Sequence, residues 1–321
     1  MTLLADDLGF VSARPLIGGP ADVTFSLAPG DRPLVAAGES VVAGAPIAER
    51  LRDPQLIDVP DTVTLKPVPG ERVPAGELLF EWRGRWRVAG GEMTESLETP
   101  MAGIVRSVRP GSSIVIQATG RSLAGIVTLG GPTRGRLHVS ANSDGELRAG
   151  GLDVGLAGTI LVVGSRIDAE TLTRSRAMGI RGIVVAGLAS KERRDFLASE
   201  LRQRAALHRL PPYAVLVLDG AVRRPLSSPV MGVLRALAGR EVAIVNDPPA
   251  LVFDQPELDL PPPPPDLVRI RGGELAGREG QWAGLAGLRR FSGGVHLEAG
   301  SVRLADGSVV AVPIGDLERF T

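Results

Sequence analysis

The sequence predicts a multidomain α and β protein, with an all-β module at the N-terminus, a central α/β domain built on a mostly parallel sheet, and a small β-barrel at the C-terminus. Three observations carry this prediction. Short β-type runs separated by Gly, Pro and Asp turns fill residues 21–130. From Gly158 to Val245, strand-like runs alternate with helix-like ones. After the consecutive prolines Pro261–Pro265, short strands return. The boundaries read from these shifts are 1–130 for the first module, 131–157 for a linker, 158–257 for the α/β domain, 258–265 for a Pro-rich linker and 266–321 for the barrel.

Composition sets the outer limits. A chain of 321 residues with 44% hydrophobic residues has material for two or three domains. Cysteine is absent, which removes disulfides, thiolate metal sites and cysteine nucleophiles and fits a reducing compartment. With only three histidines and no cofactor motif, neither a metal nor a cofactor is expected. The N-terminus carries acids where a signal peptide needs basic residues, and no run of ~18 apolar residues occurs. The expectation is a soluble, cytoplasmic protein without a membrane partner. Thirty-six basic residues balance thirty-six acidic ones, so the molecule as a whole is not an electrostatic nucleic-acid binder.

The first module contains an internal repeat. Gly38-Glu39, Val41, Ala43-Gly44 and Ile47 recur as Gly70-Glu71, Val73, Ala75-Gly76 and Leu79. Each copy predicts a tight turn, a short strand and a second turn, with glycine supplying positive φ. A third piece, Thr99-Pro100-Met101-Ala102-Gly103-Ile104-Val105, completes a pattern that resembles the barrel-sandwich hybrid fold of biotinyl and lipoyl domains over residues 23–118. Such domains carry their cofactor on a hairpin lysine ahead of the Pro-x-x-Gly segment. Here that region reads Glu92-Met93-Thr94-Glu95, and Lys66 lies elsewhere. The resemblance therefore implies a non-carrier relative serving as a rigid spacer or docking surface. Residues 131–157 are rich in Gly, Ser, Asn and Asp and read as a linker with one short hairpin at most.

In the central domain, Thr159–Val163 has the continuous apolar character of a strand buried on both faces. Asp168 is placed to cap a helix with Glu170 in its first turn, and Gly179 to end it. Ile183–Val185, Ala214–Leu218 and Val242–Val245 follow as strands, separated by helices beginning at Ser190 and at Pro229. Leu197, Leu201 and Ala205 give the second helix an apolar stripe at i, i+4 spacing, and Pro211 and Pro212 stop it near His208. In sheets of this kind ligands sit beyond the carboxyl ends of the strands. That rule nominates Ser165, Arg166, Asp168, Asp219 and Asn246 as a cleft for a small polar or anionic ligand. Capping and turn chemistry account equally for Asp168, Asp219 and Asn246. There is no G-x-G-x-x-G after the first strand, no phosphate-loop motif and no G-x-S-x-G, so no catalytic residue is nominated. Residues 151–257 carry fourteen basic against eleven acidic residues, concentrated on the second helix in the manner of a solvated face.

The third module predicts about five short strands: Leu267–Ile270, a glycine-spaced turn at Gly273, Gly277 and Gly280 leading into the next, then Val295–Leu297, Val302–Leu304 and Val309–Val312, with Asp306-Gly307 as a hairpin turn. This spacing suggests a small SH3-like barrel. Val268-Arg269-Ile270, the three glycines and Val312-Pro313-Ile314 with Leu317 resemble the KOW motif of ribosomal proteins and transcription elongation factors, a family that binds RNA or protein. Seven arginines are matched here by seven acids, so the electrostatic term that dominates nucleic-acid affinity is missing from the module as a whole. Arg269, Arg271, Arg278, Arg289 and Arg290 nonetheless define a candidate basic edge. Phe291 is a candidate stacking residue, and Trp282 is expected in the core. The functional expectation is a non-enzymatic docking or scaffold protein that holds a protein or ribonucleoprotein partner, with RNA as the less favoured ligand. The alternative is a small-molecule-binding or catalytic α/β domain with accessory β domains.

Overall fold

The computed structural model describes residues 7–28, 31–51, 58–68, 77–89, 94–206, 212–254 and 262–321, together with Gly70, Glu71 and Val73. The sequence features at His208, Pro211, Pro261, Ala75-Gly76 and Glu92-Met93 lie outside the described residues. The chain forms two compact units, residues 20–120 and residues 1–19 with 121–321. Strands dominate, and the described residues contain three α-helices, none long and apolar enough to cross a membrane.

After strand β1 (Ser12–Arg14), the chain builds the smaller unit. Its strands are β2 (Asp22–Ser26), β3 (Arg32–Pro33), β4 (Ser40–Val41), β5 (Pro46–Leu51), β6 (Leu78–Trp82), β7 (Arg85–Val88), β8 (Thr94–Glu98), β9 (Gly103–Arg109) and β10 (Ser113–Ala118). They form a sheet of order β2-β10-β9-β4, a second of order β3-β5-β8, and the separate hairpin β6-β7. Alternation along β10 buries Ile114 and Ile116, and Val23, Phe25, Ile47, Met101 and Val105 are buried as well. The two repeat copies adopt the same turn. Gly38 and Gly70 have φ of 87° and 89°, and Glu39 and Glu71 each accept a hydrogen bond from the backbone N–H three residues earlier, at 2.9 Å.

The larger unit contains β11 (Arg121–Ala124), β12 (Val127–Gly130), β13 (Thr133–Val139), β14 (Glu146–Leu147), β15 (Thr159–Val163), β16 (Arg166–Ile167), α1 (Ala169–Ala177), β17 (Gly182–Val185), α2 (Ser190–Ala206), β18 (Ala214–Val217), α3 (Ser228–Ala236), β19 (Glu241–Asn246) and β20 (Pro249–Phe253). Eight of these strands form one sheet, β11-β20-β19-β13-β15-β17-β18-β12. The run β13, β15, β17, β18 is parallel, whereas β19, β20, β11 and β12 join antiparallel. Because successive crossovers step in one direction, right-handed connections place α1 and α2 on the same face. There Leu172 and Phe196 pack on Leu161, Val163, Ile183 and Val215. The return from β18 to β19 runs the other way, and α3 covers the opposite face with Val230, Val233, Leu234 and Leu237. The sheet also curls. β11 and β12 occupy its two ends yet are separated only by Gly125 and Ile126, so Ala124 and Val127 are at most about 11 Å apart. Gly125 donates to Pro249 O and Ile126 to Val217 O, which joins the two edges.

Two expectations are revised. The stretch read as a linker supplies β13, a central strand between β19 and β15. Its alternation of Thr133, Gly135 and Leu137 (buried) with Arg134, Arg136 and His138 (exposed) hides the continuous apolar run that identifies its neighbours. The apolar stripe on α2 does not face inward: Leu197 and Leu201 are exposed, and Phe196 and Glu200 are buried. The α1–α2 interface is polar. Glu192 accepts from Ala169 N, Thr173 bonds Ser199, and buried Arg176 pairs with Glu200 and bonds Gln203. Arg176 also lies over the rings of Phe196 and Tyr213. Burial pushes the Tyr213 phenol well above its ordinary range, and its hydroxyl is bonded to Ser175 at 2.7 Å.

The remaining strands are β21 (Leu267–Ile270), β22 (Glu279–Arg290), β23 (His296–Leu304), β24 (Val309–Pro313) and β25 (Leu317–Phe320), ordered β25-β21-β22-β23-β24 with β1 parallel to β25 at the edge. A single 3₁₀ turn, Ile314–Asp316, precedes β25. Trp282 packs with Val11, Val268, Ile270, Val302, Val312 and Leu317 in the core of this sheet.

Candidate functional site

The carboxyl ends of the parallel strands are closed by the chain's own backbone. Ser165 N donates to Gly145 O, Ala186 N to Gly164 O, Leu188 N to Gly220 O and Leu226 N to Ser143 O. A Cβ on Gly164 would lie 2.2 Å from Asn142 O, and one on Gly187 would lie 2.5 Å from Val222 O, so only glycine permits these approaches. The five residues nominated for a ligand cleft fall in three places. Ser165 is buried and donates to Asp144 O at 2.8 Å, and Arg166 is exposed and pairs with Glu146 at 3.7 Å. Asp168 caps α1 by accepting from Thr171 N at 2.6 Å. Arg166 and Asp168, with Leu147, Arg148 and Ile167, border an open groove of about 230 Å³, in which Glu146 is shared by Arg148, Arg166 and Arg223.

Asp219 is committed elsewhere. Its carboxylate, 6% exposed, takes Arg14 at 3.1 Å and Arg269 at 2.9 Å, and Arg269 continues to Glu318 at 3.2 Å and to Pro225 O at 2.7 Å. Burial works to lower the Arg269 pKa, but hydrogen bonds and charge from Asp219 and Glu318 outweigh it and hold the guanidinium above its ordinary range. Arg224, half-buried beside this cluster, is shifted downward, chiefly by burial. Asn246 sits at the opposite end of the sheet because β19 runs antiparallel to β13, which turns its carboxyl end toward the start of the parallel strands. There its amide donates to Gly130 O at 2.8 Å.

The arginines nominated in the C-terminal module also separate. Arg269 is 1% exposed and internally paired, which removes it from any contact edge. Arg271 is exposed and lies 3.8 Å from Glu318, and Arg278 is exposed beside Ile270, whose N–H its carbonyl accepts. Arg289 and Arg290 lie on the far half of the β22–β23 hairpin, Arg289 donating to Ala286 O.

That far half carries most of the exposed large aliphatic residues of the C-terminal sheet. Register shifts between Trp282 and Leu285 and between Leu285 and Gly287 separate it from the part of the hairpin that fills the core. Beyond them Leu285, Leu288, Val295 and Leu297 are 45%, 62%, 52% and 41% exposed, and Phe291 is half-buried at the tip. Leu288 stands opposite Glu298, Arg289 opposite Leu297, and Arg290 opposite His296. Each face of the ribbon therefore offers both apolar and basic side chains. The sequence reading found Arg289, Arg290 and Phe291 but passed over the four aliphatic residues. Their signal was the length of the β22–β23 hairpin, which runs well past Trp282, Val302 and Leu304, the residues that it gives to the core. Comparison with family models, with curated proteins and with solved structures finds no match to this chain.

Proposed function

We propose that this protein is a non-enzymatic docking protein that holds a protein or ribonucleoprotein partner through its C-terminal module, read as a KOW-like, SH3-type barrel. The observation that carries this reading is the set of exposed aliphatic residues on the far half of β22–β23, flanked by Arg289 and Arg290. Neighbouring apolar side chains left in water favour a partner that covers them. Burial of each leucine in a complex contributes about 1.5–3 kcal/mol, and the arginines add directional bonds to an acidic or carbonyl-rich rim. The dispersal of the residues nominated for the rival small-molecule cleft weighs on the same side: Asp219 is held in internal ion pairs and Asn246 lies at the other end of the sheet, away from Ser165, Arg166 and Asp168.

The test is affinity capture from the native host with the full chain and with a Leu288→Glu/Leu297→Glu variant, with and without nuclease. A partner held by the parent chain and lost from the variant, at unchanged melting temperature, supports the proposal. Nuclease sensitivity assigns it to the ribonucleoprotein form. A partner retained by the variant refutes the ribbon as the docking element.

A further inference from the structure

The hairpin β6–β7 has the sequence Trp82-Arg83-Gly84-Arg85-Trp86-Arg87 across its turn. Arg83 and Gly84 both take positive φ, 51° and 69°, the conformation of a tight two-residue hairpin turn. The hairpin pairs with no other strand among the described residues. Its anchor is Phe80, which is 2% exposed. Trp82, two residues along the same strand, is 36% exposed, in contrast to Trp282 in the barrel core. The Arg83 guanidinium carbon lies 4.2 Å from the centroid of the Trp82 ring, which makes a stacked cation–indole pair at the tip. Arg87 is exposed, Arg85 stands opposite Trp82 in register, and Lys66 runs alongside, its N–H bonded to Leu79 O. By sequence, residues 77–89 and Lys66 carry four basic residues, Lys66, Arg83, Arg85 and Arg87, against two acids, Glu77 and Glu81, an excess of two in a molecule that is neutral overall.

From this we infer that the β6–β7 hairpin is a contact site for single-stranded nucleic acid. A flat, half-exposed indole already stacked by a guanidinium provides a surface on which an unpaired base continues the stack, and the surrounding cations meet the phosphates. A membrane-inserting hairpin would carry apolar residues at its tip, where this one has Arg83 and Gly84. The site lies in the smaller unit and does not depend on the barrel ribbon.

The test is fluorescence anisotropy of labelled oligo-U and oligo-dT of about 12 nucleotides, titrated with the full chain at low and moderate salt. Both oligomers are expected to bind with salt-sensitive affinity. Tighter binding of oligo-U assigns the ligand to RNA, tighter binding of oligo-dT to DNA, and equal binding to stacking and phosphate contacts alone. Trp82→Ala is expected to weaken binding about tenfold or more, Trp82→Phe to retain most of it, and Arg87→Ala to reduce the salt slope by about 0.7. An affinity unchanged in Trp82→Ala, or no binding to either oligomer, overturns the inference. Binding only to anionic phospholipid vesicles overturns it as well. The Leu288→Glu/Leu297→Glu variant should bind both oligomers as the parent does, so a failure of this site is distinct from a failure of the docking ribbon.

Discussion

Two arginine–carboxylate clusters in the larger unit use the same chemistry with different consequences. In one, Arg14, Asp219, Arg269 and Glu318 join β1, the end of β18, β21 and β25, with Arg269 1% exposed. In the other, Glu146 is shared by Arg148, Arg166 and Arg223, whose side chains are more than half exposed. A buried charge that loses its counter-ion has nothing to replace it, whereas an exposed one has water. The first cluster thus ties the N-terminal strand and the C-terminal sheet to the end of β18, and the second lies in water at its groove. It also follows that Arg269, although it belongs to the arginine-bearing C-terminal sheet, has a structural task.

The comparison breaks most visibly at Arg269. Arg269→Ala leaves buried Asp219 with Arg14 alone and buried Glu318 with the exposed Arg271 at 3.8 Å, and is expected to cost about 3–5 kcal/mol, read as a lowered urea midpoint at unchanged m-value. Arg14→Ala leaves Asp219 with Arg269 still in place and removes the donors to Ala124 O and Leu218 O. Its expected cost is about 1–2 kcal/mol, and an effect as large as that of Arg269→Ala would show that β1 docking, not the central guanidinium, organises the cluster. Glu146→Ala in the exposed cluster is expected to change stability by less than about 1 kcal/mol. A loss of several kcal/mol there would erase the distinction between the two clusters.

Much of the local structure was legible. Thr159–Val163 and Leu267–Ile270 are strands at the predicted bounds, Asp168 caps α1, and Gly179 follows its end with φ of 82°. The Gly-Glu repeat gave two matching turns because the glycine conformation and the glutamate cap are both set within four residues. The candidate sites were read less well. Asp219 and Asn246 both follow strands and were nominated by one rule, but that rule assumes parallel strands, and β19 is antiparallel. On α2 the apolar residues Leu197 and Leu201 face solvent, while the buried side, with Phe196 and Glu200, meets Arg176 of α1. The Trp-Arg hairpin was not singled out from the sequence, because composition alone does not distinguish an exposed tryptophan from a core one.

By itself, the sequence determined many of the elements, with their caps and turns, and the multi-sheet α and β character of the chain. Each of these depends on φ, ψ preferences and side-chain periodicity over a few residues. The tertiary structure alone decided which strands pair and in which direction, that β13 lies at the centre of the larger sheet, and that Asp219 meets arginines 205 and 50 residues away. It also decided which arginines keep their charge in water. Those outcomes depend on burial and on chain segments brought together from far apart, and neither is encoded in any short stretch of residues.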